Sequence, residues 1–424
     1  MNSAVLLRRA ALVGILGIIL FFTGLALSYR LLLLPVITAF DNAFTNLLGS
    51  FLNAADLPVG RHYAGGALLI LGGYLVYRAI RNVLREVMRI LNPGQEGKIA
   101  GNFWKQQALA AGPSIVAIGG GTGLSTLLRG LKEKTSRITA VVTVTDDGGS
   151  SGRLVADKKI LPPGDIRNCL VALADAEKSM TDLFQHRFEG ASGSLSGHST
   201  GNLLIAALVD LTGDFDKAVR EVGRVLAIRG RVIPATLDPV CLKAEMEDGT
   251  EIYGETKIVN SQQRIRRIFL EPPDTGPVPK ALDAIRGADV VVIGPGSIYT
   301  SVIPPLLVPG VAEALNESPA IKVYVCNVMT QPGESDRFSA SDHVRAIESN
   351  VGRRVFDYVL INKAMPGQFL SERYSESGQE FVAPDPDRIR AMGLKPISAN
   401  LISETDVVRH DPMRIAESIE RLVK

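Results

Sequence analysis

The sequence predicts an α/β protein: a mostly parallel sheet with helices on both faces and a β-hairpin insertion, preceded by an N-terminal transmembrane helical hairpin. Three observations carry this. From Pro113 onward, short β-branched runs alternate with helical patterns, the rhythm of a buried parallel sheet. Several runs end in glycine-framed polar turns, where such sheets bind ligands. Twenty uncharged residues separate Arg9 from Arg30. At ~1.5 Å per residue they match a hydrocarbon core of roughly 30 Å.

That first apolar run exceeds the ~7–15 residues of a signal-peptide core, and LLLLPVITAF follows Arg30, so a retained span is expected. The second segment, Tyr63 to Tyr77, is shorter, with tyrosines at both ends suited to the membrane interface. Arg8 and Arg9 precede the first span; Arg78, Arg81, Arg85 and Arg89 follow the second. The positive-inside rule then places the N-terminus and the C-terminal domain in the cytoplasm of a multi-pass cell-membrane protein. The four later arginines share one helix face, opposite Ile80, Val83, Leu84, Val87 and Leu91. Either they lie on anionic headgroups or they extend the second span into solvent. Residues 1–92 read as hairpin plus juxtamembrane helix, and 93–112, with NPGQEGKIAGN, as a linker. Residues 113–424 read as the α/β domain.

A net charge of +2 sets up no global basic field, so no nucleic-acid partner is expected. Cys169, Cys241 and Cys326 lie far apart with no C-x-x-C pair, which argues against a zinc cluster or a disulfide framework. The five histidines form no H-E-x-x-H pattern.

In the α/β part, SIVAI, ITAVVTVT, DVVVI, IKVYVC and FDYVLI read as strands. LSTLLRGLKE, GNLLIAALVDL, FDKAVREVGRVLAI and ASDHVRAIES read as helices. VCLKAEMEDGTEIYGETKIV breaks the rhythm, and its Asp-Gly pair marks the hairpin insertion.

The loops carry the chemistry. AIGGGTGLS follows the first strand and opens a helix, so Gly119, Gly120, Gly121, Thr122, Gly123 and Ser125 form a candidate anion cradle. It is neither a Walker A loop nor a strict G-x-G-x-x-G, since Leu124 stands at the third glycine position. TVTDDGGSSGRL ends the second strand as a turn; Asp146 and Asp147 are candidates for ribose, Mg²⁺ or a substrate hydroxyl, with capping as the alternative. LPPGDIRNCL enters a helix with Asp165 placed to cap it and Arg167 and Asn168 to meet ligand. GHSTGNLLIAAL delivers His198 and Asn202 to a helix start, a structural histidine being the alternative. After the third strand-like run, DVVVI, Gly294, Gly296 and Ser297 suit an anion, and Tyr299 either stacks on a base or sugar or fills the core. NVMTQPGE adds Asn327, Thr330 and Gln331. Several such loops on one rim point to a nucleotide-type ligand.

GGGTGLS, TDDGGSSGRL, PPGDIRN, GHSTGNLL, GPGSIYTS and NVMTQPGE, in this order, resemble the CofD-like superfamily and, more closely, its bacterial gluconeogenesis-factor branch. The resemblance covers nearly all of Pro113 to Lys424. It implies a Rossmann-like fold and binding of UDP-sugars such as UDP-N-acetylglucosamine. It also implies a regulatory role in cell shape and wall-precursor supply on gluconeogenic carbon, with the nucleotide-sugar tyrosine at Tyr299, and by analogy a homodimer. The alternative it carries is the other branch, a Mg²⁺-dependent 2-phospho-L-lactate transferase, with Asp146 and Asp147 as the metal ligands. Against that alternative, the acidic loop and the GPGSIYTS form differ from the transferase pattern, and no clear nucleophile–base pair is present.

Overall fold

A seven-stranded, all-parallel sheet forms the centre of the fold. The computed structural model describes residues 14–24, 58–91, 106–176, 178–188, 195–365, 367–404 and 408–423. It divides into two units, Met1–Lys105 and Gln106–Lys424.

In the first unit, α1 spans Gly14–Gly24 and α2 spans Pro58–Leu91. The second apolar segment and the basic stretch after it are one continuous helix, Pro58–Leu91. Among the described residues no single helix is long and apolar enough to cross a membrane, so the expected pair of spans is not found there. LLLLPVITAF and the linker NPGQEGKIAGN lie outside the described residues. The two helices meet backbone to backbone. A Cβ on Gly72 would stand 2.6 Å from the Phe21 nitrogen and 2.7 Å from the Gly17 carbonyl oxygen.

In the second unit the sheet strands are β1 Ile115–Gly119, β2 Ile138–Val142, β3 Arg231–Pro234, β7 Val290–Ile293, β8 Ile321–Val325, β9 Tyr358–Asn362 and β10 Lys395–Ala399. The five runs read as strands are β1, β2, β7, β8 and β9. Sequence reasoning missed β3 and β10, the two edges, which carry Pro234 and Pro396, a residue type that sheets hold mainly at their edges. The Asp248-Gly249 turn joins β4 Cys241–Met246 to β5 Glu251–Tyr253 as an antiparallel hairpin. A third strand, β6 Ile265–Glu271, pairs with the other edge of β4. Near the C-terminus β11 Ile402–Glu404 pairs antiparallel with β12 Val408–His410.

The helices that matter below are α3 Gly121–Leu131, α4 Gly149–Lys158, α5 Gly164–Leu173, α6 Lys178–Gln185, α7 Thr200–Thr212 and α8 Phe215–Val225. They continue with α9 Glu255–Asn260, α10 Pro279–Arg286, α11 Ile303–Leu307, α12 Val311–Glu317, α13 Ala340–Val351, α14 Gln368–Glu376, α15 Pro386–Ala391 and α16 Pro412–Val423. TDDGGSSGRL, expected as a turn, enters helix α4 at Gly149.

Alternate residues of each strand feed opposite faces. Val116, Ile118, Val291 and Ile293 pack with Ile285, Val311 and Ile347; Ile115, Ala117, Val290 and Val292 pack with Leu127, Leu170 and Ile415. From β1 the chain proceeds to β2 and β3 on one side, and from β7 to β8, β9 and β10 on the other. The strand order therefore reverses between β1 and β7. In a doubly wound sheet the crevice beyond the strand ends at that reversal is the ligand position.

Candidate functional site

A cavity of about 750 Å³ opens at this reversal, walled by the loops after β1, β7 and β8. Gly121, Thr122, Gly123 and Ser125 come from the first loop and the start of α3; Gly296, Ser297 and Ser301 come from the second; Asn327, Thr330 and Gln331 come from the third. The first two loops can meet only because residue 123 lacks a side chain. A Cβ there would fall 2.3 Å from the Pro295 carbonyl oxygen. Gly121 holds φ +64, left-handed backbone that L side chains rarely adopt. The first-turn N–H groups of α3 have no intrahelical partner, and its N-cap Gly120 offers no side chain to satisfy them. Such an end suits a phosphate.

Hydrogen bonds pin the other loops. Asn327 accepts from the Gly296 N–H (3.2 Å) and donates through Nδ2 to the Gly296 carbonyl (2.8 Å). Gln331 Nε2 donates to Ser297 Oγ (2.8 Å), while its Oε1 is buried with no partner.

Arg167, on the first turns of α5, is 7% exposed and reaches the cavity wall. It donates through Nη1 to Ser199 Oγ and to Asn202 Oδ1 (3.1 Å), and through Nη2 to Asn168 Oδ1 (2.8 Å). Asn202 Nδ2 in turn donates to Ser150 Oγ (3.0 Å), which also contacts His198 Nδ1 at 2.9 Å. The network thus joins three sequence motifs behind one guanidinium. Asn168 lines the cavity, whereas His198 and Asn202, both buried, are not among its walls. Asn202 holds the arginine that is, and His198 braces Asn202 through Ser150.

Asp146 and Asp147 also lie away from the cavity lining. Asp146 Oδ1 accepts from the Gly148 N–H (3.0 Å), a local turn. Asp147 Oδ1 accepts from Thr256 N (2.9 Å) and Oγ1 (2.6 Å), tying the start of α9. This is the capping alternative for both, and it turns the two carboxylates toward different partners. Among the described residues no group of three or more His, Cys, Asp or Glu is arranged to hold a metal. Asp165 sits in the first turn of α5 with Pro163 as N-cap, not as the cap expected from sequence. Its buried carboxylate accepts from the Gly121 N–H. Burial pushes its pKa up to about 6 against that hydrogen bond, with Asp146 adding to the rise.

Behind the glycine loop the acids gather. Burial, then Asp146, Asp165, Glu334 and Asp147, push Glu255 up to about 9. Burial pushes Glu334 up to about 7, although it accepts from Tyr299 N (3.4 Å) and Thr300 Oγ1 (3.3 Å).

Gly119, Gly120 and Gly294 likewise stand behind the lining: a Cβ on Gly120 would strike Thr143 Cγ2 at 2.5 Å and Asp165 Oδ2 at 2.6 Å. Tyr299, expected at the ligand, is 4% exposed and packs edge-on against Phe338 in the core. It belongs to a π-helical turn, Ile298–Val302, every residue of which is buried.

Sequence reasoning missed Arg129, Gln185, Arg187, Tyr374, Arg409 and His410 in the cavity wall. One signal was available for Arg129. It stands seven residues after Thr122, on the face of α3 that also carries Ser125 and Thr126. The others come from segments with no glycine-loop signature.

Comparison with known proteins agrees with the geometry. The family model described as "2-phospho-L-lactate transferase CofD" matches residues 115–402. A putative gluconeogenesis factor of Nostoc sp. is 44% identical over 420 residues, covering 97% of this chain and 89% of the relative. The gluconeogenesis factor of Bacillus subtilis is 49% identical over 313 residues, covering 74% of this chain and 98% of the relative. A crystal structure of a UPF0052-family protein from Bacillus halodurans superposes with TM-score 0.70 at 48% identity, covering 73% of this chain and 98% of that one.

Proposed function

The chain belongs to the CofD family, in its gluconeogenesis-factor branch, and from that premise we propose that it is a nucleotide-sugar-binding regulatory protein. One observation carries the reading. The cavity at the strand-order reversal is walled by two glycine loops and four arginines, Arg129, Arg167, Arg187 and Arg409, with no described carboxylate among its lining residues. That wall suits a diphosphate: first-turn N–H groups and guanidinium forks are the usual partners of phosphate oxygens. UDP-sugars such as UDP-N-acetylglucosamine are the ligands, and the occupied protein acts on cell shape and wall-precursor supply.

The family model's description favours a second reading, a Mg²⁺-dependent transferase of the 2-phospho-L-lactate type. Asp146 and Asp147, its expected ligands, are turned to Gly148 and Thr256, which favours the binding reading. Thermal melting separates the two. A UDP-sugar at about 100 times its dissociation constant stabilises a protein that binds it by ~2.7 kcal/mol. Stabilisation without Mg²⁺, with the nucleotide recovered intact, is the expected result. Release of a nucleoside monophosphate only when Mg²⁺ is added establishes the transferase instead.

The first unit acts as a membrane tether. Ile15, Leu16, Ile18, Phe22, Ile70 and Leu71 stand exposed on α1 and α2, an apolar surface that supports burial in lipid. The full chain is expected to sediment with membranes and resist alkaline extraction, with a reporter fused after Lys98 on the cytoplasmic side. Recovery in the soluble fraction, or a reporter outside, rejects the tether.

A further inference from the structure

Two of the cavity arginines are anchored at one short turn, Gly197 to Ser199. Arg187 is near enough to Arg167 that its charge lowers the Arg167 pKa, second only to burial. Like charges in one wall repel, so each needs an anchor. Arg187 donates through Nη1 to the Gly197 carbonyl (3.3 Å). Arg167 donates through Nη1 to Ser199 Oγ and to Asn202 Oδ1. His198 stands between these anchors and is 5% exposed. Backbone bonds tie the turn to the segment that carries Arg187: Gly197 N donates to the Phe188 carbonyl (2.8 Å), and Phe188 N to the His198 carbonyl (3.0 Å).

The hydrogen bonds behind Arg167 run one way. A guanidinium has only donors, so Asn202 turns its oxygen to Nη1 and its amide nitrogen to Ser150. Ser150 Oγ accepts that bond at 3.0 Å, and its own proton has His198 Nδ1 at 2.9 Å. Nδ1 is therefore the acceptor that ends the relay, and the imidazole is neutral with its proton on Nε2.

We infer that His198 is a positioning residue for the anion: as a neutral acceptor it orders Ser150 and Asn202, and through them sets Arg167 in the cavity wall. This rests on the nucleotide-sugar reading of the same cavity, and it makes binding sensitive to acid. A proton on Nδ1 reverses the last bond of the relay, leaves the buried Ser150 proton without its acceptor and loosens the amide that holds Nη1. The surroundings resist that proton. Burial lowers the His198 pKa from 6.5, Arg153 of α4 lowers it further, and Asp157 of α4 opposes them. Arg153 lies against the turn, where a Cβ on Gly197 would stand 3.1 Å from its Nη2. The paired segment adds Arg187 and the exposed His186, whose ring meets Phe188 edge-on.

Calorimetric titration of the full-length protein with UDP-N-acetylglucosamine, from about pH 8 to about pH 5, tests the relay. The diphosphate of this ligand is esterified at both ends and does not titrate in that range. Wild-type affinity is expected to fall below the His198 pKa by up to about tenfold per pH unit, the slope for one competing proton. At pH 7.5 His198→Ala is expected to lose about tenfold, ~1.4 kcal/mol. His198→Asn offers Oδ1 in place of Nδ1, an acceptor that takes no proton, and so recovers most of that loss. Asp165 and Glu334 also titrate in this window, so the His198 part of the acid limb is the difference between wild type and His198→Asn. His186→Gln keeps the wild-type profile. Melting of each variant reports its folding; should His198→Ala not fold, wild type against His198→Asn decides alone. Wild-type affinity in His198→Ala, an unchanged acid limb in His198→Asn, or affinity that rises as pH falls overturns the relay and leaves the nucleotide-sugar reading standing. Absence of wild-type binding at every pH removes both.

Discussion

At pH 8, Glu255→Gln melts above the wild-type protein, and the gap closes as the pH is lowered toward 5. Glu255 is held among Asp146, Asp165, Glu334 and Asp147, and burial with their charges raises its pKa to about 9. An acid whose folded pKa lies above its ordinary value of 4.5 keeps its proton in the native state after the unfolded chain has lost it. Between about pH 4.5 and 9 the unfolded chain therefore binds fewer protons, and stability declines as pH rises. Every tenfold change in proton affinity corresponds to ~1.4 kcal/mol; with mutual coupling among five acids, a net gain of about 2–4 kcal/mol at pH 8 is expected for the glutamine. Below about pH 4.5 both side chains are neutral and the two proteins converge. A gap that stays constant from pH 5 to 9 would show that packing, not charge, separates them.

Arg167→Met is expected to lower affinity for a UDP-sugar by about a hundredfold while leaving a folded protein. Hydrogen bonds to charged groups contribute ~1.5–3 kcal/mol, and Arg167 is the most buried cation of the cavity wall. The same change strips Ser199, Asn202 and Asn168 of their donor, at ~1–3 kcal/mol of stability for buried acceptors left unpaired. Arg167→Lys restores charge but not the planar fork, so it recovers part of the affinity and little of the network. Titration calorimetry beside a melt of each variant separates the two effects. Retention of wild-type affinity by Arg167→Met would remove Arg167 from the binding machinery.

The glycine loops were legible because backbone needs leave a local mark. Gly121 sits at positive φ and Gly123 touches the Pro295 carbonyl, and no other residue type substitutes freely in either place. The five interior strands were legible because burial on both faces demands continuous β-branched runs. The roles of the acidic turn were not. Asp147 beside Asp146 looks the same on paper whether it meets a ligand or a first-turn N–H of a helix 109 residues later, and the structure has it on Thr256. Tyr299 was open for a similar reason: a polar tip near a glycine loop says nothing about whether it meets a ligand or fills the core, and the structure packs it against Phe338. Arg409 escaped notice because it stands 280 residues beyond Arg129 in a segment with no glycine-loop signature, and only the folded chain puts both in one cavity wall.

The place of Arg409 in the cavity wall has a bearing on biosynthesis. During translation the glycine loops leave the ribosome long before the segment that walls their far side. A nascent chain still short of Arg409 has the sheet but only half a receptacle. Metabolite capture is thereby deferred until the segment carrying Arg409 has emerged, and because α16 just beyond it buries Ile415 and Ile419 against the sheet, its loss would cost the centre as well as the receptacle.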